Sequence, residues 1–286
     1  MRSRNFITAR RGTVFLALGC FLFMAGPALG QRLAILTPDN TPKDIAYAAE
    51  LAQSISPPVR VIDREQAEAA FRSVTVANAF NMTIHEAKAI AAVVGCDLFL
   101  VVRASGIRRT SVSRLNFFEA YAVHYLVDGR TGELSEWRIK TFENESEGQA
   151  ESALIASVTE TARELSTKLR TSPAINAAIE KIETVPDEGT AAATNLKTPV
   201  PYKRIKPEYT RTAYLYDVRA TVDIEVDVDA DGTIRGTKIV RWAGYGLDES
   251  AETAVRAMNW RPAVRNGKPL PMRVLLRYNF TKIEKE

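Results

Sequence analysis

Seven residues, Val222 to Val228, constrain this 286-residue chain more tightly than any other stretch. Val222, Ile224, Val226 and Val228 alternate with Asp223, Glu225 and Asp227. A period of two puts an apolar row on one face of a strand and a carboxylate row on the other. That pattern fits a half-buried strand of an antiparallel sheet and fits no helix. Asp231-Gly232 supplies hairpin-turn chemistry, and Ile234 to Trp242 reads as the returning strand. A helix is expected over Leu247 to Asn259, with Leu247, Ala251, Ala254, Val255 and Met258 on one stripe. Pro262 stops it. Asn266-Gly267 then turns the chain into a last strand, Met272 to Phe280. The order is β-β-α-β.

The residues before this region follow a different rule. Arg32 to Leu36 and Val59 to Asp63 are short strand candidates. Lys43 to Ile55 and Arg64 to Val74 carry helical apolar stripes. Thr83 and Glu86 have the spacing of a capping box, and Gly95 closes the helix that they begin. Asp97 to Ala104 is a near-continuous apolar strand of buried type. Phe117 to Val127 alternates, Asp128 to Gly132 is turn chemistry, and Leu134 to Phe142 returns. A long helix is expected from Ser146 to Arg170, with Leu154, Val158 and Leu165 on its stripe. The order is β-α-β-α-α-β-β-β-α. The fold class is therefore α+β: an N-terminal α/β domain over residues 31–183, a linker over 184–198, and an antiparallel sheet domain over 199–286. The linker is rich in Ala, Thr, Gly and Pro and has no periodicity.

The formal net charge is +4. Residues 1–30 hold Arg2, Arg4, Arg10 and Arg11 and no acid, and the remaining basic residues equal the 34 acidic ones. The basic excess thus belongs to the N-terminal segment, which excludes a nucleic-acid reading from overall charge. That segment has a basic start, an apolar stretch from Val14 to Ala25, and small residues at Ala28 and Gly30. It reads as an export signal cut before Gln31. The alternative is an uncleaved inner-membrane anchor. Export implies a periplasmic location. Residues 31–198 carry −4 and residues 199–286 carry +4, a mild asymmetry that favours their docking.

Residues 199–286 resemble the C-terminal domain of the TonB energy-transducer family. The carriers occur in order: Pro207-Glu208-Tyr209, the strand ending in Asp229-Ala230-Asp231-Gly232, Gly246-Leu247-Asp248 before an alanine-rich helix, Trp260-Arg261-Pro262-Ala263 after it, and Asn266-Gly267-Lys268-Pro269 before a strand closing on Phe280. Ala220, Met258, Trp260, Lys206 and Thr210 depart from the family's usual residues. The resemblance implies a protein-interaction module that captures an extended segment of an outer-membrane receptor or other envelope protein by strand addition. It implies that the partner pairs with the strand after the helix, here Met272, Arg273, Val274, Leu275, Leu276, Arg277, Tyr278 and Asn279, with Pro207, Glu208 and Tyr209 nearby. Proline at Val274 or Leu276 is expected to remove a strand N–H and abolish capture. The second reading is a short anchored transducer coupled to ExbB/ExbD-type motor proteins and driven by the proton gradient. Residues 32–183 resemble, less specifically, periplasmic α/β domains of the TolB amino-terminal and CsgG type, through Val61-Ile62-Asp63-Arg64, Glu86-Ala87 and Gly95-Cys96-Asp97-Leu98-Phe99-Leu100.

Other chemistry is sparse. Asp227 to Gly232 looks like the start of a calcium loop, but position 12 is Lys238 where a bidentate glutamate is required. His85 and His124 lack partners at metal-ligand spacing. Cys96 sits before a buried strand and reads as a packed thiol. No nucleophile elbow, phosphate loop or dinucleotide pattern occurs, so no catalytic residue, metal or cofactor is expected. Arg108, Arg109 and Arg114 form a basic hairpin tip.

Overall fold

The computed structural model describes residues 31–171 and 182–282. The export segment read over residues 1–30, and residues 172–181 of the first domain, lie outside the described residues.

The first unit follows the expected order. Its elements are β1 (Arg32–Leu36), α1 (Pro42–Ser54), β2 (Arg60–Val61), α2 (Arg64–Arg72), α3 (Ile84–Val94), β3 (Leu98–Arg109), β4 (Phe117–Asp128), β5 (Leu134–Asn144), α4 (Glu147–Ala156) and α5 (Val158–Thr171). The long final helix is a correction: it is two helices meeting at Ser157. There the N–H of Ser157 turns back to the Ala153 and Leu154 carbonyls, and its hydroxyl donates to Leu154 O at 2.7 Å. This side-chain competition with the helix ladder is typical of serine. The capping box holds, with Thr83 and Glu86 bonded reciprocally and Gly95 left-handed at the other end.

The five strands form one sheet in the order β2-β1-β3-β4-β5, parallel where β1 meets β2 and β3 and antiparallel in the two hairpins. One face buries Leu33, Ile35, Leu100 and Leu126 against Leu51, Leu154 and Leu165 of α1, α4 and α5. His124 lies inside this layer, 3.1 Å from the Tyr47 hydroxyl. Burial pushes its pKa down to about 3, so it is neutral.

The second unit comprises β6 (Leu196–Lys197), β7 (Val200–Pro201), α6 (Arg211–Leu215), β8 (Ala220–Val228), β9 (Ile234–Arg241), α7 (Leu247–Arg256), β10 (Trp260–Arg261), β11 (Ala263–Arg265), β12 (Lys268–Leu270) and β13 (Met272–Phe280). The expected β-β-α-β core is β8, β9, α7 and β13. Its sheet runs β13-β8-β9, fully antiparallel. Val222, Ile224, Val226 and Val228 are all buried beneath Leu247, Ala251 and Val255 of α7. The helix ends at Arg256 rather than Asn259, because Trp260 is taken into the short β10–β7 pair. α6 and the short strands were not expected.

Residues 184–198 do not form a free tether. Thr184 bridges to Arg273, and Leu196–Lys197 pair with Arg265 and Val264 as β6 against β11. Nor are the two units independent bodies. One buried cluster runs from Phe99, Tyr125 and Val127 of the first sheet to Trp242, Tyr245 and Ile224 of the second unit. The Trp242–Tyr245 segment is the joint. Trp242 donates its indole N–H to Gly132 O at 3.3 Å, and the Tyr125 hydroxyl donates to Ala243 O at 3.1 Å. Trp137 stacks on Tyr245 with centroids 5.2 Å apart. Gly244, at φ +69°, is required here: a Cβ would lie 2.8 Å from the Tyr125 ring. Asn81 completes the joint, donating to Thr221 O and Trp242 O and accepting from Thr221 N. Lys238–Glu133 and Arg241–Glu86 ion pairs cross it with the polarity of the −4/+4 split.

Candidate functional site: the open edge of the C-terminal sheet

β13 is the terminal strand of its sheet, paired with β8 from Met272↔Val228 to Phe280↔Ala220. Side chains alternate along it. Met272, Leu276, Tyr278 and Phe280 are buried against the core, and Val274 is half-buried on the same face. Arg273, Leu275, Arg277 and Asn279 face the other way. There the carboxylates of β8 meet cations directly opposite them. Arg273 binds Asp227 through two hydrogen bonds of 2.6 and 2.8 Å, and Arg277 binds Asp223 through two of 2.7 and 2.9 Å. Arg241 of β9 adds a 3.2 Å bond to Asp223. These bidentate pairs hold the Asp223 carboxyl below its ordinary pKa against the opposing effect of burial. The charged face is thus internally neutralised. Asp227, first in the calcium-loop reading, is committed to Arg273, and Asp231 accepts from the Thr233 N–H and hydroxyl.

The edge itself is defined by backbone parity. Arg273 donates its N–H to Glu183 O at 2.8 Å and accepts from Val185 N at 3.0 Å. Both of its backbone groups therefore point away from β8. Alternation gives Leu275, Arg277 and Asn279 the same outward aspect, and turns Val274 and Leu276 inward to β8. This corrects the sequence expectation: proline at Val274 or Leu276 attacks the internal ladder, not the edge. A second correction is that the edge is partly occupied. Glu183–Val185 lies along Arg273 as a parallel strand fragment. Glu183 is clamped there by Arg265 through bonds of 3.0 and 2.5 Å. Pairing stops after Val185, and among the described residues Leu275 makes no backbone bond to this segment. The Arg204 guanidinium donates to Arg277 O at 3.2 Å and sits over the Tyr278 ring at 5.4 Å. Leu275, 52% exposed, marks the middle of the open stretch.

Pro207, Glu208 and Tyr209 lie elsewhere. Pro207 and Glu208 line a groove beside α7 with Glu249, Ser250 and Thr253. Ser250 donates its hydroxyl to Glu208 O at 2.8 Å. Pro207 is buried, and the Tyr209 hydroxyl donates to Val218 O at 2.8 Å and Ala213 O at 3.2 Å, closing α6. Arg204, three residues earlier, is the group that reaches β13. Neither Arg204 nor Glu183 was singled out from sequence, since each contacts the edge through a lone backbone or guanidinium bond that leaves no periodic trace.

Among the described residues no group of acids, histidines and cysteines has metal-binding geometry. Cys96 is buried, and burial lifts its thiol to about 11. No helix among the described residues is long and apolar enough to cross a membrane.

Comparison with known proteins matches residues 205–281 to the family model of the Gram-negative bacterial TonB protein C-terminal. No match to a curated protein is found. Among solved structures, the Pseudomonas aeruginosa TonB C-terminal domain aligns at 21% identity, covering 32% of this chain and 91% of that one, with a TM-score of 0.26. The hypothetical protein CT253 from Chlamydia trachomatis aligns at 12% identity, covering 50% of this chain and 99% of that one, with a TM-score of 0.32. Lipoprotein GNA1162 from Neisseria meningitidis aligns at 17%, covering 46% and 99%, with a TM-score of 0.29. Residues 205–281 are thus similar to the TonB protein C-terminal, and in this chain they follow an N-terminal α/β unit.

Proposed function

We propose that this chain is a non-enzymatic interaction protein of the cell envelope. It captures an extended segment of an outer-membrane receptor or another envelope protein by adding it as a strand to β13. The observation that carries this is the edge formed by Leu275, Arg277 and Asn279. Its outward N–H and C=O groups lie beside no other strand of the described residues. Such a row is a template for an incoming strand, with backbone bonds giving affinity and alternate side chains giving selectivity. The neutralised Asp223–Arg277 and Asp227–Arg273 face leaves no net charge to repel either sign of partner. Glu183–Val185 supports the reading further, because it lies along this edge at Arg273 as a parallel strand fragment. A partner strand would continue where that pairing ends, after Val185.

The test uses the whole chain as bait, because the two units share a core. Leu275→Pro removes an outward N–H and leaves the β8 ladder intact, so capture of outer-membrane proteins is expected to fall at least about tenfold, the equivalent of one or two lost backbone bonds. Capture equal to that of the unaltered chain, with the variant folded, contradicts the reading.

A further inference from the structure

The β3–β4 hairpin is unused by the strand edge and has its own chemistry. β3 and β4 each run 12 residues, while β1 pairs only with Leu98–Val101 and β5 leaves β4 at Phe118↔Asn144. The loop of residues 110–116 therefore projects past both neighbouring strands. At its tip Val112 is 110% exposed and Leu115 is 83% exposed. Between Ile107 and Phe117 the chain holds three arginines and no acid. Arg108 grips Asn116 at 2.8 and 3.2 Å. Arg114 lies over the Phe117 ring at 4.1 Å and pairs with Glu143, both side chains about half open to solvent. Arg109, paired with Glu119, donates to Leu215 O at 3.0 Å. That last bond brings α6 beside the hairpin neck, so half-exposed Tyr214 and Leu215 share the same end of the molecule. Lys282 sits over the Tyr214 ring at 4.5 Å.

We propose that this end is a membrane-contact surface. Val112 and Leu115 enter the headgroup–acyl boundary of a bilayer, and Arg108, Arg114 and Lys282 meet anionic headgroups. Three observations favour a bilayer over a protein partner. The apolar groups sit on a convex projection, which buries little area against a rigid surface but is enveloped by a fluid one. Two of the tip's backbone donors are satisfied from within: Ser111 N–H donates to Arg114 O at 2.8 Å and Arg114 N–H donates to the Ser111 hydroxyl at 3.1 Å. Lowering the tip into a poorly hydrated layer therefore strands neither of these donors. The arginines stand behind the apolar tip on long stems, in the order in which a cationic side chain reaches headgroups while its stem covers apolar surface.

The test places a reporter at the tip of the full chain with Leu115→Trp. The native Trp242 and Trp260 are buried and Trp137 is half-buried, so the unaltered chain is measured in parallel and its signal subtracted. Vesicles of phosphatidylcholine, with and without phosphatidylglycerol, carry brominated acyl chains as quenchers. The readout is the tip indole, so attachment of the chain to vesicles by any other segment does not register. The expected result is a blue shift and quenching with the anionic vesicles. The apparent affinity should fall roughly tenfold or more on Arg108→Gln/Arg114→Gln or at high salt, and Val112→Ser should weaken it further. Val112→Trp repeats the measurement at a second exposed position should the first variant misfold. An indole left in water by both vesicle types overturns the proposal. Equal quenching by neutral and anionic vesicles overturns the headgroup contact, and shielding of the indole by an envelope protein alone assigns the tip to protein contact instead.

Discussion

The two sheets of this molecule treat their surroundings in opposite ways. The five-stranded sheet is covered on one face by α1, α4 and α5, and on the other by α2, α3 and the Trp242–Tyr245 segment of the second unit. Its long edge strand, β5, carries Glu136, Arg138, Lys140 and Glu143, with Arg138 and Lys140 drawn onto Glu164 of α5. Charged side chains of this kind blunt an edge. The three-stranded sheet has α7 on one face, and its edge strand β13 spends its arginines on β8 instead. Its backbone edge is left to a three-residue fragment of the chain itself and then to nothing among the described strands. Burial has sealed the first sheet into a scaffold, and the second keeps an exposed edge at β13. Binding functions tend to sit where a rigid body presents an unsatisfied element.

The largest expected effect tests whether scaffold and edge are one body. Trp242→Ala empties the joint between the units and should cost about 3–5 kcal/mol. Unfolding of the unaltered chain followed by circular dichroism and tryptophan fluorescence should give one coincident transition. Two separate transitions would break the shared-core account.

Next comes the parity of β13. Leu276→Pro removes an inward N–H and should destabilise the C-terminal unit by a few kcal/mol, whereas Leu275→Pro should cost less than about 1 kcal/mol. Chemical denaturation of the pair decides it, and equal losses would mean that the edge has been assigned to the wrong residues.

The two units also differ in their response to pH. His124 in the first unit has its pKa pushed down to about 3 by burial, from an ordinary 6.5. Its contribution is full above pH 6.5 and is lost as pH falls toward 3. Asp248 at the joint has its pKa raised to about 7 by burial, against the pull of the Gly244 and Ala243 N–H donors. Its contribution is full below its ordinary value of 3.8 and is lost as pH rises through 7. Between pH 4 and 6.5 the two slopes oppose each other at about 1.4 kcal/mol per unit each. The unaltered chain should be nearly flat there, and Asp248→Asn should reveal stability that climbs with pH. A flat profile for the variant would contradict the His124 assignment.

The smallest effect concerns the chain's own strand fragment. Val185→Pro removes the hydrogen bond to Arg273 O and should cost about 1 kcal/mol or less. It should also raise the exchange rate of the Arg273 amide, read by mass spectrometry, toward that of Leu275.

Much of this was legible in the sequence, for identifiable reasons. The strand over Val222–Val228, the Thr83–Glu86 box and the Met272–Phe280 strand are local patterns with a fixed period, and each lies where expected. The resemblance to the TonB C-terminal domain pointed to β13 as the partner-pairing strand but did not set which residues face outward, because parity of backbone bonds depends on the partner strand and not on side-chain type. Glu183–Val185 was hidden at the boundary between the first domain and the segment read as linker. A strand of two or three residues buries no row of side chains, so absence of periodicity is not absence of pairing. The joint between the units was invisible to periodicity too, although Trp242 and Tyr245 in a five-residue connection are a signal: two large aromatics in a loop need something to cover them.

The most direct test of strand capture is site-specific photocrosslinking in intact envelopes. A photoreactive residue is placed at Leu275 on the open edge and, as a control, at Val93, which is similarly exposed on the first unit. The account predicts discrete adducts with envelope proteins from position 275, lost when Arg277→Pro is added, and none of those adducts from position 93. The same adducts from both positions, or adducts from 275 that survive the added proline in a folded chain, would contradict it.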